Sequence, residues 1–304
     1  MRGRDLFILG VPSSAGAFAA GQERAPAALR EAGLVERLAA GGDLLDLGDL
    51  PEFGWRPDRA QPRAQHAALV AETAARVRDE VARRLAAGCR VLVLGGDCTV
   101  GVGTVAGSRL AGGRTGLVYL DMHADLNVPS SVVDGALDWM GMAHMLGVEG
   151  CLPDLTDLAS PFVPMLDPSQ VVVLGHEHSQ ATDWELSVIA ERSVALVAAE
   201  ALRADPVAAA RRALAQLADA TRVVVHLDVD VVDFVDAPLS ENTGRNVGVP
   251  LAAVAAALPV LMADRRTAAL TVTELNPVHA AADPGCLERL VHALVAAVAQ
   301  PAAP

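Results

Sequence analysis

Eight short runs rich in valine, leucine and isoleucine recur between longer helical stretches, and this alternation narrows the fold more than any other feature of the chain. The runs are Leu6–Gly10, Leu44–Leu47, Arg90–Leu94, Gly116–Leu120, Val171–Gly175, Val194–Val197, Arg222–Leu227 and Ala268–Thr273. Apolar runs of this length fit strands covered on both faces, as in a parallel sheet. The clearest amphipathic helices between them are Ala64–Ala87, Val207–Leu217, Leu251–Leu258 and Leu287–Val298. Together they predict an α/β three-layer sandwich, with a central, mostly parallel sheet flanked by helices. No repeat, low-complexity block or Ser/Gly linker divides the 304 residues, which read as one domain over 1–304. Gln300 to Pro304 is expected to fray.

Composition limits the function classes. Hydrophobic residues make up 52% and aromatics only 3%, so aliphatic packing must supply the core. The mean hydropathy is +0.33, yet no uninterrupted apolar run reaches the ~18 residues of a membrane span. The net charge is −13 and the chain has no lysine. That disfavours nucleic acid and anionic membrane surfaces, which need clustered basic residues, and suits a cationic substrate. Solubility alone also accounts for an acidic balance. Cys89, Cys98, Cys151 and Cys286 form neither a C-x-x-C pair nor a disulfide framework, which fits a reducing cytoplasm. The apolar run Leu6 to Leu9 is too short for a signal-peptide core, so a cytoplasmic location is expected.

In open α/β sheets ligands bind beyond the carboxyl ends of the strands. The polar motifs fall there: Gly95-Gly96-Asp97-Cys98-Thr99, Asp121-Met122-His123-Ala124-Asp125, Asp228-Val229-Asp230 and Glu274-Leu275-Asn276-Pro277 each follow an apolar run. Alternate residues of an extended chain point the same way, so Asp121, His123 and Asp125 present two carboxylates and an imidazole together, and Asp228 and Asp230 repeat the arrangement. Four converging carboxylates repel one another unless a cation neutralises them. A single D-x-D is often only a polar loop start. Two such clusters beside a Gly-Gly-Asp turn favour divalent metal, and oxygen-rich sites with an imidazole suit Mn(II) and related ions.

These segments resemble the ureohydrolase superfamily of arginases, agmatinases and formiminoglutamases. GGDCT (95–99), DMHAD (121–125), DVDVVD (228–233) and TELNP (273–277) are similar to its G-G-D-H-S, D-A-H-x-D, S-x-D-x-D-x-x-D and E-x-N-P forms, in the same order. Gly10-Val11-Pro12 and Pro26 to Arg30 resemble its opening segment. The resemblance implies two Mn(II) ions per chain, bridged by Asp121 and Asp228. Cys98, Asp121, Asp125 and Asp228 would hold one, and Asp121, His123, Asp228 and Asp230 the other. It also implies a hydroxide held between the ions and hydrogen-bonded to Asp125, and a guanidino or formimino C–N bond as the target. Glu274 would receive the substrate's guanidinium or amidine through paired, charge-assisted hydrogen bonds. Urea or a urea-like fragment plus an amine would leave. A homo-oligomer, trimer or hexamer, is implied as well.

Several positions depart from the family pattern. Cys98 stands where the family has a histidine ligand, and sulfur biases that site toward Zn(II), Fe(II) or Co(II). Cys98 as a buried small hydrophobe with one ion lost is the competing reading, and Cys98 as a nucleophile with His123 as base leaves four aspartates unexplained. The proton-shuttle histidine of the arginases is missing. His144 lies nearby and is the candidate replacement, with a packed helix histidine as the alternative and Asp138 as another proton carrier. Asn127 and Thr243 are candidate substrate contacts. Gln180, where an acid would grip an α-amino group, argues against plain L-arginine. Asp134 and Ala136 replace residues expected near an α-carboxylate, beside Ser130 and Ser131. Arg245, His176 and His178 are further candidates for the pocket. The expected activity is thus a metal-dependent amidinohydrolase, agmatinase- or arginase-like. A catalytically silent family member serving as a binding or regulatory protein is the alternative.

Overall fold

A computed structural model of the chain describes residues 6–299. The frayed tail expected at 300–304 lies outside the described residues. The strands are β1 (Leu6–Gly10), β2 (Leu44–Asp49), β3 (Arg90–Leu94), β4 (Thr115–Leu120), β5 (Val171–His176), β6 (Ala195–Ala198), β7 (Arg222–Asp228) and β8 (Thr267–Thr273). The helices are α1 (Ala25–Glu31), α2 (Leu34–Ala39), α3 (Ala67–Ala86), α4 (Val100–Leu110), α5 (Gly141–Leu146), α6 (Pro153–Thr156), α7 (Asp183–Arg192), α8 (Ala199–Ala204), α9 (Pro206–Gln216), α10 (Leu251–Ala263), α11 (Pro277–Ala280) and α12 (Pro284–Val298). All eight strands pair in parallel, in the order β2-β1-β3-β8-β7-β4-β5-β6.

Alternation along each strand sorts the core into two layers, because successive side chains leave opposite faces. Leu92, Leu94, Val118, Leu120, Val172 and Leu174 pack with α1, α2, α9, α10 and α12. Their neighbours Val91, Val93, Leu117, Tyr119, Val171 and Val173 pack with α3, α4 and α5. The inner strands are therefore covered on both sides, as in the fully buried β4 and β5, whereas edge strand β2 is only partly buried and carries Asp46 and Asp49.

α10 and α4 show how packing sets helices beyond the four stretches expected. α10 runs past Leu258 to Ala263 with Pro259 inside it. Val254, Ala257, Leu258, Leu261 and Met262 are buried along it, and that burial carries the helix past a residue that forfeits one backbone bond. α4 was hidden by its glycines, which are poor helix formers. A Cβ on Gly103 would sit 2.5 Å from the Ala74 carbonyl oxygen, and one on Gly107 2.6 Å from that of Arg78. These glycines let α4 lie directly on α3, so the helix is set by packing and not by propensity.

Candidate metal centre and its cavity

Strand register builds the site. Leu120 on β4 pairs with Leu227 on β7, so the residues next in line, Asp121 and Asp228, leave adjacent strands side by side. Asp228 in turn pairs with Thr273 on β8, and Leu94 on β3 with Val272. Four neighbouring strands at the centre of the sheet thus deliver Cys98, Asp121, Asp228 and Glu274 to one place.

Cys98, Asp121 and Asp228 each offer a ligand atom within 4.8 Å of the others, and so do Asp121, His123 and Asp125. Asp121 belongs to both groups. His123 Nδ1 lies 3.1 Å from Asp230 Oδ2 and 3.4 Å from Asp121 Oδ1. Asp121 Oδ2 and Asp230 Oδ1 are buried without a hydrogen-bond partner. Stranded carboxylate oxygens cost free energy in an apolar surrounding, and a divalent cation beside them removes that cost. The donor set therefore fits divalent metal: carboxylates, one imidazole and one sulfur.

The protonation pattern has the same cause. Burial, and next the charge of Asp230, lifts Asp121 from its ordinary 3.8 to about 7. Burial together with neighbouring acids also holds Asp125, Asp228 and Glu274 well above the usual carboxylate range. Burial opposes the charging of His123, but Asp230 and Asp121 outweigh it and raise the imidazole well above 6.5. Burial opposes ionisation of Asp230 too, and there the His123 charge wins and lowers it.

Backbone and side-chain contacts hold these groups in place. Asp125 and Glu274 take left-handed conformations, with φ of 50° and 64°. Such backbone is costly for a non-glycine residue and clusters at working sites. The Tyr119 hydroxyl donates to Asp125 Oδ2. The Cys98 backbone N–H donates to Glu274 Oε1 at 2.8 Å, and Gln22 Nε2 to Oε2 at 3.0 Å. Cys98 Sγ lies 2.8 Å from Asp228 Oδ2, 3.2 Å from Thr273 Oγ1 and 3.4 Å from His226 Nε2. His123 is not among these partners. Burial, then the charge of Asp228, pushes the thiol well above its ordinary range. Both facts argue against a Cys98 nucleophile with His123 as base.

A cavity of about 600 Å³ opens over this floor. Cys98, His123, Asp125, Asp228, Asp230 and Glu274 line it, together with Asp134, Ala136, Asp138, Gln180, Glu185, Glu241, Asn242, Thr243, His279, Phe18 and Trp139. Asp121 is fully buried below them. Among the described residues eight carboxylates face this space and no arginine does.

Some expected residues are elsewhere. His144 is 1% exposed and does not line the cavity. Its Nδ1 meets the Met140 carbonyl at 2.7 Å, and its Nε2 accepts from the Leu152 N–H at 3.2 Å. The proton thus sits on Nδ1, both nitrogens are engaged, and burial lowers the ring to about 4. It is a packed helix histidine, not a proton shuttle facing substrate. Asn127 is also fully buried away from the lining. Its Oδ1 accepts from the Ser131 and Thr182 hydroxyls at 3.0 Å each, which ties the loop, while its Nδ2 is buried without a hydrogen-bond partner. Ser130, Ser131, His176 and His178 do not line the cavity either, and Arg245 lies over the Phe234 ring, 5.1 Å from its centroid.

Other residues escaped the sequence reading. Tyr119 and His226 are buried within strands, Gln22 comes from the N-terminal segment, and Glu241 and Asn242 precede Thr243. Tyr119 and His226 carried a signal: each lies one alternate step before an acid, Asp121 on β4 and Asp228 on β7, and the two pair in register.

A parallel three-layer sandwich whose central strand tips gather acids at the floor of a cavity defines an α/β protein with groups of side chains that could hold a metal ion. The chain belongs to the Arginase family, whose family model matches residues 4–299, in agreement with the motif resemblance. The arginase of Bacillus caldovelox is 30% identical over 240 residues, covering 77% of this chain and 79% of that protein. Its native structure at pH 5.6 is similar with a TM-score of 0.86 and 25% identity, over 98% of this chain and 99% of that one. Human Arginase-1 is 29% identical over 176 residues, 57% of this chain and about half of that protein (54%). Formimidoylglutamase from Bacillus subtilis shares the fold at 17% identity and a TM-score of 0.75, over 98% of this chain and 87% of that one. Among the described residues no helix is long and apolar enough to cross a membrane.

Proposed function

We propose that this chain is a metal-dependent hydrolase of a guanidino or formimino C–N bond in a small cationic substrate. The observation that carries the reading is the convergence of Asp121 with Cys98 and Asp228 on one side and with His123 and Asp125 on the other. Divalent cations bound there supply the field that makes water a nucleophile near neutral pH and polarises the carbon under attack. Cys98, Asp121, His123, Asp125, Asp228 and Asp230 are the residues to hold them. Bound cations would offset the burial that raises Asp125, and Asp125, held by the Tyr119 hydroxyl, would then be ionised and able to accept the proton of the attacking water. Glu274, anchored by Cys98 N–H and Gln22, turns its remaining lone pairs to the planar cation.

The missing shuttle histidine leaves the leaving amine without a donor, and we assign that task to Asp138. It lines the cavity, and burial, then the charge of Asp97, holds it well above the usual carboxylate range. A carboxyl kept protonated in this way can donate to a departing nitrogen. The wall also bears on the substrate. With acids and, among the described residues, no arginine around the space, a substrate whose far end is an amine or hydroxyl fits better than one ending in a free carboxylate. The test is a panel of guanidino and formimino compounds assayed for product release with Mn, Co, Zn and Fe supplied separately. Turnover of amine-ended guanidines supports the reading, and inactivity toward every compound with every metal refutes it.

A further inference from the structure

His226 lies beside the Cys98 thiol and has no place in the mechanism above. Its Nε2 stands 3.1 Å from Thr273 Oγ1 and 3.4 Å from Cys98 Sγ. Thr273 Oγ1 also lies 3.3 Å from the Leu227 carbonyl, which can take its hydrogen; with the hydroxyl turned that way its oxygen accepts from the ring, and Nε2 carries the hydrogen. The same N–H is presented to the sulfur. Nδ1 is then the bare nitrogen, and it is buried without a partner. The ring is fixed in plane by stacking on Tyr119, with centroids 4.3 Å apart and planes 3° apart. It has room only because Gly101 follows one helical turn after Cys98: a Cβ there would sit 2.4 Å from Nδ1.

We propose that His226 is a positioning residue for Cys98 as a metal ligand: its Nε2–H donates to the sulfur, holds it toward Asp121 and Asp228, and selects Zn(II) or Co(II) over Mn(II) at that position. The inference rests on the reading of the cluster as a cation site. Cys98 Sγ and Asp228 Oδ2 are 2.8 Å apart, and two anionic ligands so close share one ion more easily when a neighbouring N–H disperses the thiolate charge. The thiol proton is released to solvent when the ion binds. Sulfur favours the softer ions, and partners that orient a ligand typically change metal affinity about 10- to 100-fold.

Co(II) titration of the full chain tests this, read by the thiolate-to-cobalt charge-transfer absorption and by competition with Mn(II). Wild type is compared with Cys98→Ser, His226→Phe and His226→Gln. Phenylalanine keeps a ring against Tyr119 but has no N–H, whereas glutamine restores an N–H without the ring. The expected result is a thiolate band in wild type, its loss in Cys98→Ser, and in His226→Phe a shifted band with the Co/Mn preference lowered about ten-fold. His226→Gln recovers part of that preference. If His226→Phe fails to fold, His226→Gln decides: a retained thiolate band supports the pair, and its loss overturns it. A wild-type Co(II) protein that hydrolyses substrate without a thiolate band overturns this inference and leaves the proposed function standing. His226→Phe with an unchanged band and preference overturns the His226 role alone, and absence of any Co(II) binding overturns both readings.

Discussion

The floor of the cavity and its outer wall are made by different means. The floor is written into strand register: Leu120 opposite Leu227 and Asp228 opposite Thr273 leave Asp121, Asp228 and Glu274 little freedom of placement. The wall comes from the segments carrying Asp134 to Trp139 and Glu241 to Thr243, part of which is exposed. Rigid strands carry the groups whose spacing chemistry demands, and loops carry the groups that meet a variable part of the substrate. Floor substitutions should therefore abolish function, and wall substitutions should retune it.

The largest expected effects are at the floor. Asp121→Ala and Asp228→Ala should each eliminate measurable turnover and most metal binding, checked by steady-state kinetics and metal analysis. Retained activity in either breaks the comparison. Asp138→Asn, on the wall but assigned a proton, should lower kcat about a hundred-fold with little change in bound metal. A fall in metal content instead would move Asp138 into the floor. Cys98→His should raise Mn(II) affinity on the order of ten-fold, since nitrogen suits that ion better than sulfur. Asp134→Ala at the exposed rim should raise KM for an amine-ended substrate by only about three-fold, as befits a solvated charge.

The smallest effect on activity is expected at His144, which lies in neither region. His144→Gln should leave turnover within about two-fold, because the ring faces the core. Its pH effect on stability has a definite sign. The folded ring is held neutral down to about 4, below its ordinary 6.5, so protonation favours the unfolded chain. Stability is intact above 6.5 and declines as pH falls through that window, by about 3 kcal/mol at most. Acid-range thermal melts of His144→Gln should show a shallower decline than wild type, and identical slopes would remove this account of the ring.

The difference between floor and wall also explains what the sequence disclosed. All eight strands were legible: burial on both faces leaves uninterrupted apolar runs in the inner strands, and β2 and β6 at the edges, only partly buried, still carry short Leu- and Val-bearing runs. Asp121, His123, Asp125, Asp228, Asp230 and Glu274 were legible as polar motifs directly after apolar runs, although the chain does not stay extended there: Asp230 lies in a 3-10 turn over Val229–Val231, and Asp125 and Glu274 are left-handed. α4 was not, since Gly103 and Gly107 follow the needs of close packing on α3. His144 and Asn127 misled because loop and helix residues follow no such rule: both turn inward to satisfy backbone and hydroxyl groups. His226 shows the converse, a residue whose partner across the strands could be seen only once register placed Thr273 and Cys98 beside it.

The most direct test is anomalous diffraction from crystals grown with added Mn(II) or Zn(II), combined with metal analysis of the same protein. The account expects ions on both sides of Asp121, one reached by Cys98 and Asp228 and one by His123 and Asp125, at about two per chain. Near-zero occupancy, or Asp121 and Asp228 turned to separate surroundings with no ion in common, would contradict it and leave a binding protein in place of an enzyme.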